Sequence, residues 1–249
     1  SAILPYLEEI DQNRWYSNFG PLERRFERKL ADHFELGDRQ VVCVSNCTQG
    51  LDISLRNAAR FPVGYCLMPS FTFVATPHAA ISAGLEPYFL DVELDTWALS
   101  PVSVRDKISA IEGPIAAVMP VAPFGASIDL SAWDAFAKET GIPVVIDAAA
   151  GFDSAAGSEN PLVLSLHATK VMGIGEGGAV LCTDAAMAEN IRAGRNFGFL
   201  ENRSAKLAGT NAKLSEYGAA IGLAALDCWK ETRLSTHAVA QCYFDVFSE

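Results

Sequence analysis

The sequence predicts an α/β protein with a mostly parallel sheet flanked by helices. Short apolar or β-branched runs alternate with longer amphipathic ones along most of the 249 residues. Gly and Pro fall between these periodic segments rather than inside them. The interval between successive apolar runs leaves room for a helix, as a parallel crossover requires. With half of its residues hydrophobic, a chain of this length can bury a continuous core without disulfide or metal staples.

After an irregular start, residues 21–34 (PLERRFERKLADHF) place Leu22, Phe26, Leu30 and Phe34 four apart, with charges on the opposite side. That spacing predicts a helix. An apolar run at 41–44 then precedes an amphipathic stretch at 47–59, and a run at 64–68 precedes 73–83. The run at 87–92 precedes a helical stretch near 102–111, and 116–121 leads to a helix at 130–140 and a strand at 143–147. The run at 162–164 passes through a glycine-rich turn to another strand, with helices expected from Ser215 and over 234–247. No repeat or low-complexity segment interrupts the pattern, so one continuous domain is expected.

Composition excludes several partners. With 19 Lys and Arg against 30 Asp and Glu, the net charge of −11 opposes grip on phosphate backbones, so no nucleic-acid partner is expected. No stretch approaches the roughly 18 apolar residues of a membrane span, and the start lacks a signal peptide's basic-then-apolar order. A cytoplasmic protein without membrane contact is expected. The six cysteines form no CxxC pair and sit mostly in apolar runs such as QVVCV. They predict buried, reduced thiols in a reducing compartment. The four histidines form no cluster around an acidic residue, so no metal site is expected.

In open α/β sheets ligands lie beyond the carboxyl ends of the strands. Four junctions qualify: 45–50, 69–76, 147–150 and 165–170. The first joins an apolar run to a helix through Ser45, Asn46, Cys47, Thr48 and Gln49. A helix start offers free N–H groups to an anion, although Ser45 or Asn46 there equally suits a cap. Asp147 ends the run PVVID and is followed by three alanines that permit close approach. Its carboxylate could hold a proton on a ring nitrogen, bind a metal or cap the next element. Lys170 lies between two apolar strands, near Ser165 and Thr169 and ahead of Gly173, Gly175, Gly177 and Gly178. A surface lysine is the ordinary alternative; a desolvated one would be a neutral amine able to form a Schiff base. An anion cradle, a strand-end carboxylate and such a lysine together suit pyridoxal 5′-phosphate (PLP).

The segments RWYSNFGPLERRFE, VSNCTQGL, PSFTFVAT, FLDVELDTWALSP, VVIDAAAGF, SLHATK with GEGGAV, RNFGF and NAKLSEYGAAIGLAALD resemble, in order and spacing, the DegT/StrS family of PLP-dependent sugar aminotransferases of fold type I. The resemblance implies that Lys170 is the Schiff-base lysine and proton carrier, and that Asp147 pairs with the pyridinium nitrogen. It implies that Phe73 stacks on the ring and that Thr48, Gln49 and Ser165 hold the phosphate. Ala150 stands where many relatives carry Gln or His near the cofactor's hydroxyl. Asn211 matches a residue that completes the partner subunit's phosphate site, which implies a homodimer with a shared active site.

By the same resemblance, residues 1–20 form an N-terminal arm, 21–231 a cofactor-binding large domain, and 232–249 the start of a truncated or absent small domain. The implied activity is amino transfer, from glutamate, to a nucleotide-linked keto sugar in surface polysaccharide or deoxysugar synthesis. Two alternatives stand beside it: a non-catalytic PLP-binding or regulatory protein, motivated by the chain's length, and a PLP-dependent sugar dehydratase. Dehydratases of this scaffold carry histidine in the lysine position, so Lys170 argues against the last.

Overall fold

The computed structural model describes residues 2–154, 157–200 and 202–247. Its strands are β1 (Val41–Val44), β2 (Tyr65–Pro69), β3 (Glu86–Leu90), β4 (Ile115–Val118), β5 (Ile146–Asp147), β6 (Leu162–Ser165) and β7 (Gly178–Leu181). They form two ladders, β1-β7-β6-β5 and β3-β2-β4. Parallel bridges at Val118–Val144 and Val121–Asp147 join them, with the Asp147 N–H donating to Pro120 O at 2.9 Å. The joined order is therefore β1-β7-β6-β5-β4-β2-β3. Only β7 runs antiparallel to its neighbours, so the sheet is mostly parallel as the sequence predicts.

The helices are α1 (Leu4–Asn13), α2 (Pro21–His33), α3 (Cys47–Ala58), α4 (Ala75–Ser82), α5 (Pro101–Ile108), α6 (Leu130–Thr140), α7 (Ala185–Gly194), α8 (Glu216–Asp227) and α9 (Trp229–Phe247). Two differ from expectation. The start is not irregular: Pro5 in the first turn suits helix entry, and Ile10 is buried, so residues 4–13 fold as α1. The last helix begins at Trp229 rather than 234, directly after α8, because Trp229 is buried against Phe152 with ring centroids 4.8 Å apart. It crosses the expected boundary at 231. Helix α7, which no sequence expectation covered, is capped by Asp184, whose carboxylate accepts the Ala186 N–H at 2.8 Å.

Period-two alternation distributes the strands between two cores. Val41 and Cys43 face one core, which α2, α6 and α8 cover, while Val42 and Val44 face the other, covered by α3 and α7. Leu162 and Leu164 divide from Val163 in the same way. The α2–α8 contact depends on missing side chains: a Cβ on Gly20 would meet the Glu216 carboxylate, and one on Gly222 would meet the Phe26 ring. Glu216 instead accepts the Leu22 and Glu23 N–H groups at 2.8 Å each, capping α2 from another helix.

Strand β1 is at the sheet's edge, where free N–H and C=O groups would invite foreign strands. Side chains occupy them. The Cys43 N–H donates to Glu27 Oε1 at 2.9 Å, Arg192 Nη2 donates to Val41 O at 2.6 Å, and Arg195 Nη1 donates to Cys43 O. The cysteines divide: Cys43, Cys47, Cys66 and Cys182 are buried, whereas Cys228 and Cys242 are exposed. The expectation of burial fails for the last two because they lie on α8's end and on the exposed face of α9. Among the described residues no helix is long and apolar enough to cross a membrane.

Candidate active site

The carboxyl ends of β2, β5 and β6 meet around a cavity of about 370 Å³ lined by Phe71, Thr72, Phe73, Phe124, Asp147, Ala150 and Lys170 among others. Four of the sequence-predicted residues, Phe73, Asp147, Ala150 and Lys170, thus converge, although 97 positions (170 − 73) separate the outermost two. A larger cavity, about 480 Å³ between α2 and α7, contains none of the predicted residues.

Asp147 is the second residue of β5 and is only 4% exposed. Its Oδ1 accepts the Ala149 N–H at 3.1 Å, and its Oδ2 accepts the Thr76 hydroxyl at 2.8 Å. Burial pushes its pKa up, against the opposing pull of the Thr76 and Ala149 donors and the Lys170 charge. Asp147 makes no ion pair among the described residues. Lys170 follows β6 on a turn held by its own N–H donating to His167 O at 2.8 Å and by Ala168 N–H donating to Gly175 O at 2.8 Å. It is half-buried, so the desolvation expected from the sequence is partial.

Phe73 presents its ring to the cavity, 77% exposed. That is an unfavourable place for a phenyl group without something to stack against. The α3 start lies beside the β6–β7 hairpin: a Cβ on Gly178 would stand 2.8 Å from Cys47 N. Asn46 caps α3, accepting the Gln49 N–H at 2.9 Å. The amides of Cys47 and Thr48, in the first turn, have no intrahelical acceptor. Ser165, buried at the end of β6, accepts the His167 N–H through Oγ at 3.2 Å. Asn211 lies elsewhere, exposed ahead of α8, with Oδ1 accepting from Lys213 Nζ at 2.5 Å.

Sequence reasoning missed Thr72, Thr76 and the aromatic rim. Thr72 Oγ1 lies 2.6 Å from Thr76 Oγ1. Phe71 packs edge-on to Trp97 with centroids 5.0 Å apart and lies 5.9 Å from Phe124. The available signal was FTFVAT, with two hydroxyls four apart at a helix start. Nothing local marked Trp97 and Phe124, which reach the rim in left-handed backbone conformations with φ of 58° and 53°.

These residues fit PLP. A buried carboxylate with no ion pair among the described residues, an amine in the same cavity, an exposed ring on one wall and a helix start whose first residue, Cys47, feels the Asp147 and Lys170 charges match the cofactor's ring nitrogen, carbonyl, face and phosphate. Among the described residues no group of His, Cys, Asp or Glu could hold a metal ion.

Comparison with known proteins agrees. The model of the DegT/DnrJ/EryC1/StrS aminotransferase family matches residues 1–249. Protein Rv3402c of Mycobacterium tuberculosis is 38% identical over 94% of this chain and 59% of its own length. The dTDP-4-amino-4,6-dideoxy-D-glucose transaminase of Shigella dysenteriae is 34% identical over 90% of this chain and 61% of its own. The chain thus spans about three fifths of these curated relatives. Among solved structures, a Bacillus cereus protein assigned as a PLP-dependent aminotransferase superposes with a TM-score of 0.93 at 37% identity, covering 98% of this chain and 68% of that one. DesI, solved with its TDP-sugar product, superposes with a TM-score of 0.80 at 37% identity, covering 92% and 58%. With a whole-chain family match and the fold of PLP-dependent aminotransferases, the chain belongs to the DegT/DnrJ/EryC1/StrS aminotransferase family.

Proposed function

We propose that this chain carries the cofactor site of a PLP-dependent aminotransferase that moves an amino group from glutamate to a nucleotide-linked keto sugar. The observation that carries the reading is that one cavity holds both the buried carboxylate of Asp147, which has no ion pair among the described residues, and the amine of Lys170. PLP, when bound, supplies an electrophilic carbonyl carbon and an electron-withdrawing ring.

The chain's own residues do the rest. The Asp147 carboxylate would hold a proton at the ring nitrogen. Lys170 Nζ would be the residue that holds the cofactor covalently, and, as an amine in the same cavity, the group that moves the substrate's proton. Phe73 shields one ring face from water. The amides at the start of α3, with the Thr48 hydroxyl, the Gln49 backbone and Ser165, receive the phosphate. Asn211, away from its own chain's cavity, is read as serving the partner's site in a homodimer. The names of the Shigella dysenteriae transaminase and of the DesI complex support a dTDP-type sugar as substrate class.

The test is a half-reaction on PLP-loaded protein. Glutamate alone should convert the bound cofactor to pyridoxamine phosphate with release of 2-oxoglutarate, and a nucleotide keto sugar should then return it to PLP. Loaded protein that leaves the cofactor unchanged in glutamate and in a panel of other amino acids would contradict the reading.

A further inference from the structure

We propose that Thr76, backed by Thr72, is a positioning residue: a directed hydroxyl relay that sets the orientation and charge of Asp147. The proposal rests on the reading of Asp147 as the ring-nitrogen partner, and extends it to two residues that act through the carboxylate.

Donor accounting fixes the direction. Each threonine hydroxyl has one proton to give and two lone pairs. Thr76 Oγ1 lies 2.8 Å from Asp147 Oδ2, and an ionised carboxylate can only accept, so the Thr76 proton goes there. In the 2.6 Å contact between the two threonines, Thr72 must therefore donate. Its other acceptor, Phe73 O, is distant at 3.4 Å. The order is Thr72 O–H to Thr76 O–H to Asp147 Oδ2, in which each bond polarises the next.

The placement is specific. Thr76 is wholly buried in the first turn of α4, whereas Thr72 is half-buried on the cavity wall beside Phe73. The relay thus runs from the ligand cavity to the carboxylate. The Ala149 N–H on the other oxygen completes a two-point clamp, one donor from α4 and one from the turn after β5. Each oxygen keeps a lone pair for a ring N–H. Two charged or titratable groups face Asp147, Lys170 and the Cys47 thiol of α3; burial holds that thiol well above its usual pKa, hence neutral. The hydroxyl relay and the Ala149 amide are the hydrogen bonds that favour the ionised carboxylate against its burial.

The readout is the 13C carboxyl titration of Asp147 in the cofactor-free protein, assigned by its loss in Asp147→Asn. Thr76→Val, which deletes the hydroxyl at constant shape, should raise the midpoint by about one to two pH units. Thr76→Ser should restore it to within about half a unit, and Thr72→Val should raise it by less than Thr76→Val does. In protein loaded with ring-15N PLP, Thr76→Val should move the nitrogen resonance toward the unprotonated pyridine value. A role confined to packing predicts a lowered Tm with an unmoved midpoint, and that result overturns the proposal. If Thr76→Val does not fold, Thr72→Val at the cavity wall decides, and an unchanged midpoint there overturns the relay. A wild-type chain that binds no PLP would defeat the functional reading, while the cofactor-free titration still judges the relay.

Discussion

Two buried carboxylate sites lie on this one sheet, and they are built in opposite ways. At the outer edge of β1, Glu23 and Glu27 surround Arg195 at 2.7 and 2.9 Å, and Glu27 also holds Arg192 at 3.2 Å. Those charges are paired, and their spare capacity closes the strand's free N–H and C=O groups. At the carboxyl end of β5, Asp147 is also buried, but among the described residues it meets a hydroxyl, an amide and the more distant charge of Lys170. A buried charge without a bonded cation is costly. The first site therefore belongs to the architecture, and the second stores an electrostatic demand that a protonated ligand nitrogen can meet.

Substitutions should separate the two. On the proposed role of Asp147, Asp147→Asn should lower turnover by about 10²–10³-fold, because it would remove the charge that holds the ring proton. Because burial raises the folded-state pKa of Asp147, its protonated carboxyl favours folding at low pH, and that contribution is lost as pH rises from the usual 3.8 through the folded-state value. The variant's Tm at neutral pH should accordingly equal or exceed the parent's; a large fall would mean that Asp147 is structural. Glu27→Gln should do the reverse. It leaves Arg192 and Arg195 short of counter-charge, at a cost of about 3 kcal/mol or more in chemical denaturation, while PLP affinity in the folded fraction stays within about threefold, under 1 kcal/mol.

A smaller effect tests the edge cluster by pH. Burial, outweighing the Arg195 charge, pushes Glu23 from 4.5 up to about 7. An acid whose folded pKa is raised contributes stability below its unfolded value and loses it as pH rises through the folded value. Wild-type Tm should therefore fall between pH 4.5 and 7, and Glu23→Gln should flatten that interval by several degrees. Parallel profiles would remove Glu23 as the cause. The smallest effect serves as a neutral baseline: Asn46→Ala, which deletes an uncharged cap from α3, should cost about 1 kcal/mol and lower Tm by about 2–4 °C.

The difference between the two sites also explains what could be read in advance. Strand-to-helix alternation placed β1, α3, α6 and the carboxyl ends where ligands bind, because period-two and helical patterns are local. Asp147, at a strand end, and Lys170, between two apolar strands, stood out for their small neighbours, and both line the same cavity. Thr76 was not legible, because its significance is a contact across 71 positions to a carboxylate. The same holds for Glu216, whose value is in capping α2 from 193 and 194 residues away. The left-handed turns that bring Trp97 and Phe124 to the rim carry no glycine at those positions to announce them. Helix α1 was missed although Leu4, Leu7 and Ile10 recur three apart, because that pattern is confined to 10 residues and its fixation comes from burial of Ile10.

The proposed PLP site at the Asp147 cavity has Lys170 as its covalent anchor. Borohydride reduction of PLP-loaded protein, followed by proteolysis and mass mapping, tests it directly. One pyridoxyl group per chain is expected on the peptide containing Lys170, and none on that peptide in Lys170→Ala. Label on other lysines, or equal labelling in Lys170→Ala, would contradict it.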